Sequence, residues 1–154
     1  MTQQAQGRAA KRSVETDLQA TLIELIDLSL QAKQAHWNVS GPNFRSVHLE
    51  LDEIVAAARL TADRVAERIA TIGSAPDGRS GAIVAAQPFD AFPAGPTATA
   101  DVVERIGAVI DLLAGRLRER ILRQADTDPV SQGILVDVAE ELEKQAWMLR
   151  AQLA

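Results

Sequence analysis

The feature that most constrains the fold of this chain is one long stretch without a helix breaker, from Asn43 to Ile72. It contains neither Gly nor Pro. Apolar side chains recur along it in steps of three and four residues, which is the spacing of one face of an α-helix. That stripe comprises Phe44, Val47, Leu51, Val55, Ala58, Ala62, Val65 and Ile69. The sequence therefore predicts a single amphipathic helix of about eight turns.

Four potential metal ligands lie along the border of this apolar stripe. His48 and Asp52 are four residues apart, and so are Asp63 and Glu67, which puts the members of each pair on adjacent turns. The two pairs are separated by eleven residues, close to three whole turns. All four side chains therefore project within an arc of roughly 100°. Imidazole and carboxylate groups are ligands that iron accepts.

One copy of the helix cannot bring the two pairs together, since His48 and Asp63 are about 22 Å apart at a rise of about 1.5 Å per residue. Two copies packed antiparallel about a two-fold axis would place the His48–Asp52 pair of one chain against the second pair of the other. The axis would pass near residues 57 and 58, within a run of small residues, 55–58, that permits close approach of the two helices. The spacing thus predicts two equivalent metal sites between subunits. The alternative is a solvated acidic helix face with two structural histidines.

The other histidine of the chain, His36, lies at the end of an apolar stripe on a preceding helix. That stripe comprises Leu18, Leu22, Leu25, Ser29 and Ala32. A lone histidine in this position is more often a buried imidazole than a ligand. The segment 38–43 contains Gly and Pro and reverses the chain, so His36 is predicted to lie beside His48. Trp37 either shields this site, serves as an oxidisable neighbour, or packs in an interface or the core.

The remainder of the chain predicts two more long helices and one short one. The predicted elements are a first helix starting at Ser13, the second helix ending before Gly73, a connection over 79–99 with a short helix at Ser80 to Ala86, a third helix over 98–125, and a fourth from Pro129 to about Gln152 capped by Asp128. We therefore predict an all-α, ferritin-like four-helix bundle over residues 13–154, with a long crossover between the second and third helices. Residues 1–12 are predicted to form a mobile N-terminal tail.

A di-iron centre inside one bundle is disfavoured by the residues around the histidines. The usual motif for such a centre is Glu-x-x-His. Here the residue three positions before His36 is Lys33, and the one three positions before His48 is Arg45. This absence favours the inter-subunit arrangement.

Composition limits the remaining functional classes. The chain has no cysteine, which excludes disulfides and thiolate metal sites, and it has no apolar run long enough to span a membrane. The N-terminus lacks the apolar core of a signal peptide, so a cytoplasmic location is the expectation. The net charge of −5 argues against general polyanion binding. Arg8, Lys11 and Arg12 can contact DNA phosphates, although three charges also suit an ordinary solvated tail.

Several segments of this sequence resemble the Dps family, the DNA-binding proteins from starved cells, which are mini-ferritins. The resemblance is carried by KQAHWNVSGPNF at 33–44, His48 with LDE at 51–53, Asp63 with AER at 66–68, IGSAPDG at 72–78, and LEKQAWMLRA at 142–151. It covers nearly the whole chain from about residue 14.

The resemblance implies a hollow homododecamer that oxidises Fe(II), preferentially with hydrogen peroxide, and stores ferric mineral in its cavity. It implies a ferroxidase site built from His36, His48 and Asp52 of one subunit with the partner subunit's Asp63 and Glu67. Removal of Fe(II) and peroxide together would protect DNA from hydroxyl radicals. Iron is the only cofactor implied, and no organic cofactor or membrane is expected.

Two features depart from the family pattern. Iron usually enters through an aspartate-lined three-fold pore, and Gly133 stands where one aspartate is common, so Asp126 and Asp137 are predicted to compensate beside Asp128. The tail carries one lysine and two arginines, whereas members that bind DNA often have lysine-rich tails. A nucleoid-associated protein that compacts DNA, with iron chemistry secondary, is therefore the alternative function. A purely structural bundle is the third possibility.

Overall fold

The computed structural model describes residues 3–153 of the chain. Within that range the elements in order are α1 (Gln3–Asn38), β1 (Val39–Ser40), α2 (Phe44–Thr71), α3 (Ser80–Ala86), β2 (Thr97–Ala98), α4 (Thr99–Gln124) and α5 (Pro129–Ala151). The four long helices pack into one bundle, with α1 against α2 and α4, and α5 against α4 and α2. The predicted four-helix bundle with a long crossover is confirmed.

The apolar stripes predicted on the first two long helices face the core of the bundle, which α4 and α5 complete. Among the described residues, the largest side chains that are almost completely buried are Leu18, Leu25, Leu28, Leu51, Ile54, Ile69, Ile106, Ile110, Leu113, Leu117, Leu135 and Leu142. Phe44 is an exception, because it lies in the first turn of α2 at the end of the bundle and is 44% exposed. Asp128 caps α5 as predicted, since its side chain accepts a hydrogen bond from Ser131 N.

The predicted start of the first helix at Ser13 is wrong, because α1 begins at Gln3. Residues 3–12 contain mainly Ala, Gln, Arg and Lys, which are good helix formers, so no local signal stops the helix from continuing. The carboxylate of Asp17, inside α1, accepts a hydrogen bond from Arg123 of α4 at 2.7 Å. The mobility of residues 1–12 stays a prediction, and residues 1 and 2 lie outside the described range.

A short parallel strand pair ties the crossover to the turn between α1 and α2. Val39 pairs with Thr97, and Ser40 pairs with Ala98. Strands of two residues leave no periodic signal, and the sequence did not predict them. The pairing matters for the site because β1 begins three residues after His36.

Buried charges join α1 to α4. Glu24 accepts hydrogen bonds from Arg116 at 2.9 Å and from both terminal nitrogens of Arg120. Arg120 also donates to Thr21 Oγ1 at 3.0 Å. Glu24 is 5% and Arg120 is 7% exposed. Water therefore cannot replace either partner, and each depends on the other for its compensation.

Replacement of Glu24 by Ala is expected to destabilise the fold by about 3 kcal/mol, because it leaves the Arg120 guanidinium buried without its carboxylate. Denaturant unfolding of the assembled protein would measure the loss. Glu143→Ala is the matched control, since it removes an α4–α5 pair with Arg118 whose side chains are 68% and 42% exposed, and it should cost less than about 1 kcal/mol. Equal losses for the two variants would contradict this account.

Candidate metal centre

The turn between α1 and α2 brings the two histidines into contact. Gly41 and Asn43 have φ angles of 108° and 58°, which lie in the left-handed region, and Phe44 N donates to Gly41 O at 3.2 Å. This tight reversal places the last turn of α1 beside the first turns of α2. The imidazole rings of His36 and His48 are stacked, with their centroids 3.7 Å apart and their planes at 22°. The sequence prediction that the two histidines are neighbours is correct.

Reciprocal hydrogen bonds fix the orientation of both imidazoles. His36 Nδ1 lies 2.9 Å from His48 O, and His48 Nδ1 lies 2.9 Å from His36 O. A carbonyl oxygen can only accept, so each Nδ1 carries the proton in these bonds. Each neutral ring then keeps its lone pair on Nε2, which is the form that binds a metal. These contacts with the backbone of the turn therefore leave the Nε2 atoms of both rings available to bind a metal.

Asp52 adds a carboxylate to the histidine pair. Its Oδ1 lies 3.4 Å from His36 Nδ1 and also accepts a hydrogen bond from Lys33 Nζ. The Lys33 bond is the largest cause of a pKa of Asp52 below its ordinary value of 3.8, and the positive charge of Lys33 adds to it. The Asp52 side chain is 48% exposed, so solvent and other ligands can reach it.

Asp63 and Glu67 lie further along α2, and both are exposed. Asp63 is eleven residues beyond Asp52, which corresponds to about 16 Å along the helix axis. Within residues 3–153 no three His, Asp or Glu side chains are arranged to hold a metal ion among themselves. Within the described residues, one subunit therefore brings His36, His48 and Asp52 close together, leaves Asp63 and Glu67 apart from them, and does not form a complete metal site by itself.

Exposed apolar side chains line two grooves, one of which also includes Asp63. Asp63 lines a groove of about 470 Å³ that also includes Leu30 of α1. Leu30 borders a second groove of about 700 Å³ together with Trp37 and with Val84 of α3. Leu30, Trp37 and Val84 are 51%, 69% and 79% exposed. Trp37 is thus not part of the monomer core. The two grooves share Leu30, and neither His36 nor His48 is among the residues that line them.

The carboxylates predicted to line a pore have different surroundings. Asp128 accepts hydrogen bonds from Arg68 Nη2 at 2.8 Å and from Ser131 Oγ at 2.7 Å. Burial alone would raise the pKa of Asp128, but these bonds outweigh it and lower the pKa. Asp137 accepts from Arg64 at 2.7 Å, and Asp126 is exposed. The pore assignment stays a prediction.

The basic residues predicted to contact DNA lie on the N-terminal extension of α1. Arg8, Lys11 and Arg12 are exposed, and their spacing puts them on one side of the helix. Lys11 Nζ lies 3.7 Å from Glu15 Oε1. The three charges are therefore presented on a helix, and their role stays a prediction.

Sequence reasoning missed two basic residues that contact candidate site residues. Lys33 is three positions before His36, and Arg68 directly follows Glu67. The position of Lys33 one turn before His36 was a usable signal, because residues three apart share a helix face. The partner of Arg68 lies sixty residues away, so no local pattern could have indicated it.

Residues 15–154 match the family model of the ferritin-like domain. The DNA protection during starvation protein of Mycolicibacterium smegmatis is 41% identical over 140 residues, which cover 88% of this chain and 74% of that protein. A crystal structure of Dps92 from Deinococcus radiodurans superposes with a TM-score of 0.90 at 34% identity, over 93% of this chain and 87% of the other. A tetragonal form of Mycobacterium smegmatis Dps gives a TM-score of 0.89 at 38% identity, over 94% of this chain and 89% of the other.

Within residues 3–153 no helix is both long enough and apolar enough to cross a bilayer.

Replacement of Lys33 by Gln is expected to raise the pKa of Asp52 toward its ordinary value, because it removes the main contact that favours the charged carboxylate. A carboxyl group whose pKa is lower in the folded than in the unfolded state stabilises the fold at pH values above the unfolded-state pKa. This stabilisation is lost as the pH falls through the folded-state pKa. In the Lys33 variant the two pKa values of Asp52 should lie closer together, so the pH range over which the stabilisation is lost should be narrower. Carboxyl ¹³C shifts of the metal-free protein would measure the change. Lys144→Gln, which loses only a contact with Glu141, is the control. An unchanged Asp52 titration in the Lys33 variant would contradict the assignment.

Proposed function

Because this chain belongs to the Dps family of ferritin-like proteins, we propose that it oxidises Fe(II) at sites shared by two subunits. The ferric product would be stored inside a homododecameric shell. One observation carries this proposal. The backbone of the turn leaves Nε2 of His36 and of His48 available to bind a metal beside Asp52. One subunit alone does not bring Asp63 and Glu67 to these residues. Members of the family generally bind and oxidise iron.

A two-fold partner supplies the missing ligands in this proposal. When two copies of α2 pack antiparallel about an axis near residue 57, the partner subunit's Asp63 and Glu67 face His36, His48 and Asp52. The reverse arrangement forms the second site of the dimer. The apolar surface that includes Leu30 and Trp37 supports this arrangement, since an exposed apolar patch of this kind marks an interaction surface.

The proposed ligand set suits Fe(II) as a substrate. Two imidazole nitrogens hold iron, while Asp52 and the partner subunit's Glu67 bridge or bind it directly, and the partner subunit's Asp63 binds directly or orients a neighbouring ligand. Carboxylates stabilise Fe(III) more than Fe(II), which favours oxidation. Arrival of Fe(II) would displace Lys33 from Asp52, because the divalent cation replaces the ammonium charge.

Hydrogen peroxide is the proposed oxidant. Two Fe(II) ions each give one electron, the O–O bond breaks, and two protons complete the products: two Fe(III) ions and two water molecules. A paired site delivers both electrons together, so no hydroxyl radical is released. In this proposal DNA is protected because both reagents of radical formation are consumed. The cytoplasm is the proposed location, with association to the nucleoid as a further possibility.

Peroxide should oxidise Fe(II) rapidly in the metal-free shell after anaerobic Fe(II) titration, at about two Fe(II) per peroxide. Ferric absorbance would measure the rate and the saturation point. The His36→Ala/His48→Ala double variant should lose most of this rate, because it removes both imidazole ligands. Glu143→Ala, which changes only an exposed ion pair, is the control. If the assembled double variant oxidised Fe(II) as fast as the unaltered protein, the proposed site would be wrong.

DNA compaction remains the second candidate function, and three exposed cations favour it. Arg8, Lys11 and Arg12 lie on the helical extension of α1, where they can approach phosphates together. The relative from Mycolicibacterium smegmatis is named as a DNA protection protein.

Removal of residues 1–12 should weaken DNA binding at low salt if these cations contact phosphates, and it should flatten the dependence of affinity on salt concentration. Gel-shift titrations at several salt concentrations would measure both effects. The His36→Ala/His48→Ala variant serves as the control, since it leaves the extension intact. Unchanged binding after the deletion would remove the extension from this function.

A further inference from the structure

Arg68 connects the predicted ligand helix α2 to the first turn of α5. Its Nη2 donates to both carboxylate oxygens of Asp128, at 3.0 and 2.8 Å, and its Nε donates to Ser131 Oγ at 2.9 Å. Ser131 Oγ donates in turn to Asp128 Oδ2 at 2.7 Å, so the three side chains close a ring of hydrogen bonds. Because a guanidinium is planar, this ring admits one orientation of the Arg68 side chain.

The neighbouring contact of Arg64 is much weaker by comparison. Arg64 donates to Asp137 at 2.7 Å, but these side chains are 44% and 54% exposed. The Arg68 and Asp128 side chains are only 17% and 19% exposed. Exposed ion pairs contribute little because water screens them. Arg68 is therefore the stronger of these two directional links between α2 and α5.

This link sets the rotation of α2 about its own axis. Successive side chains of a helix project about 100° apart, so an Arg68 directed at α5 turns Glu67 away from the α2–α5 contact. Asp63 lies one turn earlier on the same side as Glu67, and both are exposed. Val65 and Ile69 bury the other face of this region, and the Arg68 contact adds a directional constraint to their apolar packing.

We propose that Arg68 is a positioning residue, which aims Asp63 and Glu67 at the metal centre of the partner subunit by anchoring α2 to Asp128 and Ser131. The inference rests on the proposed function, because only a shared site needs this half of the ligand set to be aimed outward. Arg68 does not touch the iron. It acts through the setting of the helix that carries the ligands.

Loss of this anchor should slow iron oxidation through weaker metal binding. Replacement of residues that orient metal ligands typically costs about 10- to 100-fold in metal affinity or activity. For Arg68→Gln we expect the half-saturating Fe(II) concentration to rise by about that factor, with a smaller change in the maximal rate. Arg68→Lys keeps the charge but not the planar fork, so it should recover part of the loss. Arg118→Gln removes an exposed α4–α5 pair and should change neither value.

Co-expression of two variants tests the proposal most sharply. One chain carries His36→Ala/His48→Ala, and the other carries Arg68→Gln. In a mixed dimer one site contains both defects, while the other combines intact histidines with an intact partner half. When equal amounts of the two chains pair at random, about half of the dimers are mixed. Each mixed dimer has one intact site out of two, so about one quarter of all sites should be restored. Asp63→Ala/Glu67→Ala in place of Arg68→Gln is the positive control.

The outcomes separate this inference from the proposed function. Restoration with Arg68→Gln to the level of the positive control supports the positioning role. If the control pair is restored and the Arg68 pair is not, or if Arg68→Gln alone oxidises iron normally, the positioning role is wrong while the shared site stands. If the control pair also fails, the shared site is wrong and the inference falls with it. Should Arg68→Gln fail to assemble, Arg68→Lys takes its place with the same outcomes.

Discussion

A straight helix cannot bring together side chains that are eleven residues apart. On α2 this constraint separates Asp52 from Asp63 by about 16 Å, while both lie on the same side of the helix. The rest of the bundle packs against the apolar face of α2, and Arg68 links another face of this helix to Asp128. A site that uses both groups of ligands therefore has to be formed by two chains. Each chain carries both groups of candidate ligands, and in the proposed dimer each group meets the other group of the partner subunit.

The long helices were predictable because their signals are periodic over many turns. The stripe of α2 and the bounds of α3, Ser80–Ala86, follow from apolar spacing and from Gly and Pro at the flanks. The start of α1 at Gln3 was not predictable from Ser13, because a possible capping residue does not end a helix when the residues before it, mainly Ala, Gln, Arg and Lys, are themselves good helix formers.

The two groups of candidate ligands were predictable from the sequence to different degrees. The contact between His36 and His48 follows from a short turn joining two helices, and the structure has it. The hydrogen bonds that leave each Nε2 available for a metal join Nδ1 to a backbone carbonyl oxygen, and a pattern of side chains does not predict such bonds. The role of the partner subunit's Asp63 and Glu67 follows from helix spacing and from family resemblance, and it remains the central proposal. Lys33 and Arg68 were missed because each contacts a carboxylate from another part of the chain, Asp52 and Asp128 respectively.

The most direct measurement is anomalous diffraction from crystals of the assembled protein soaked with Co(II) as a stand-in for Fe(II). We expect an anomalous-difference peak at the two-fold interface, with the imidazoles of His36 and His48 and the carboxylate of Asp52 on one side of it. The partner subunit's Asp63 and Glu67 should bound it on the other side. A peak coordinated by one chain alone, or the absence of a peak between the two ligand groups, would contradict the shared site.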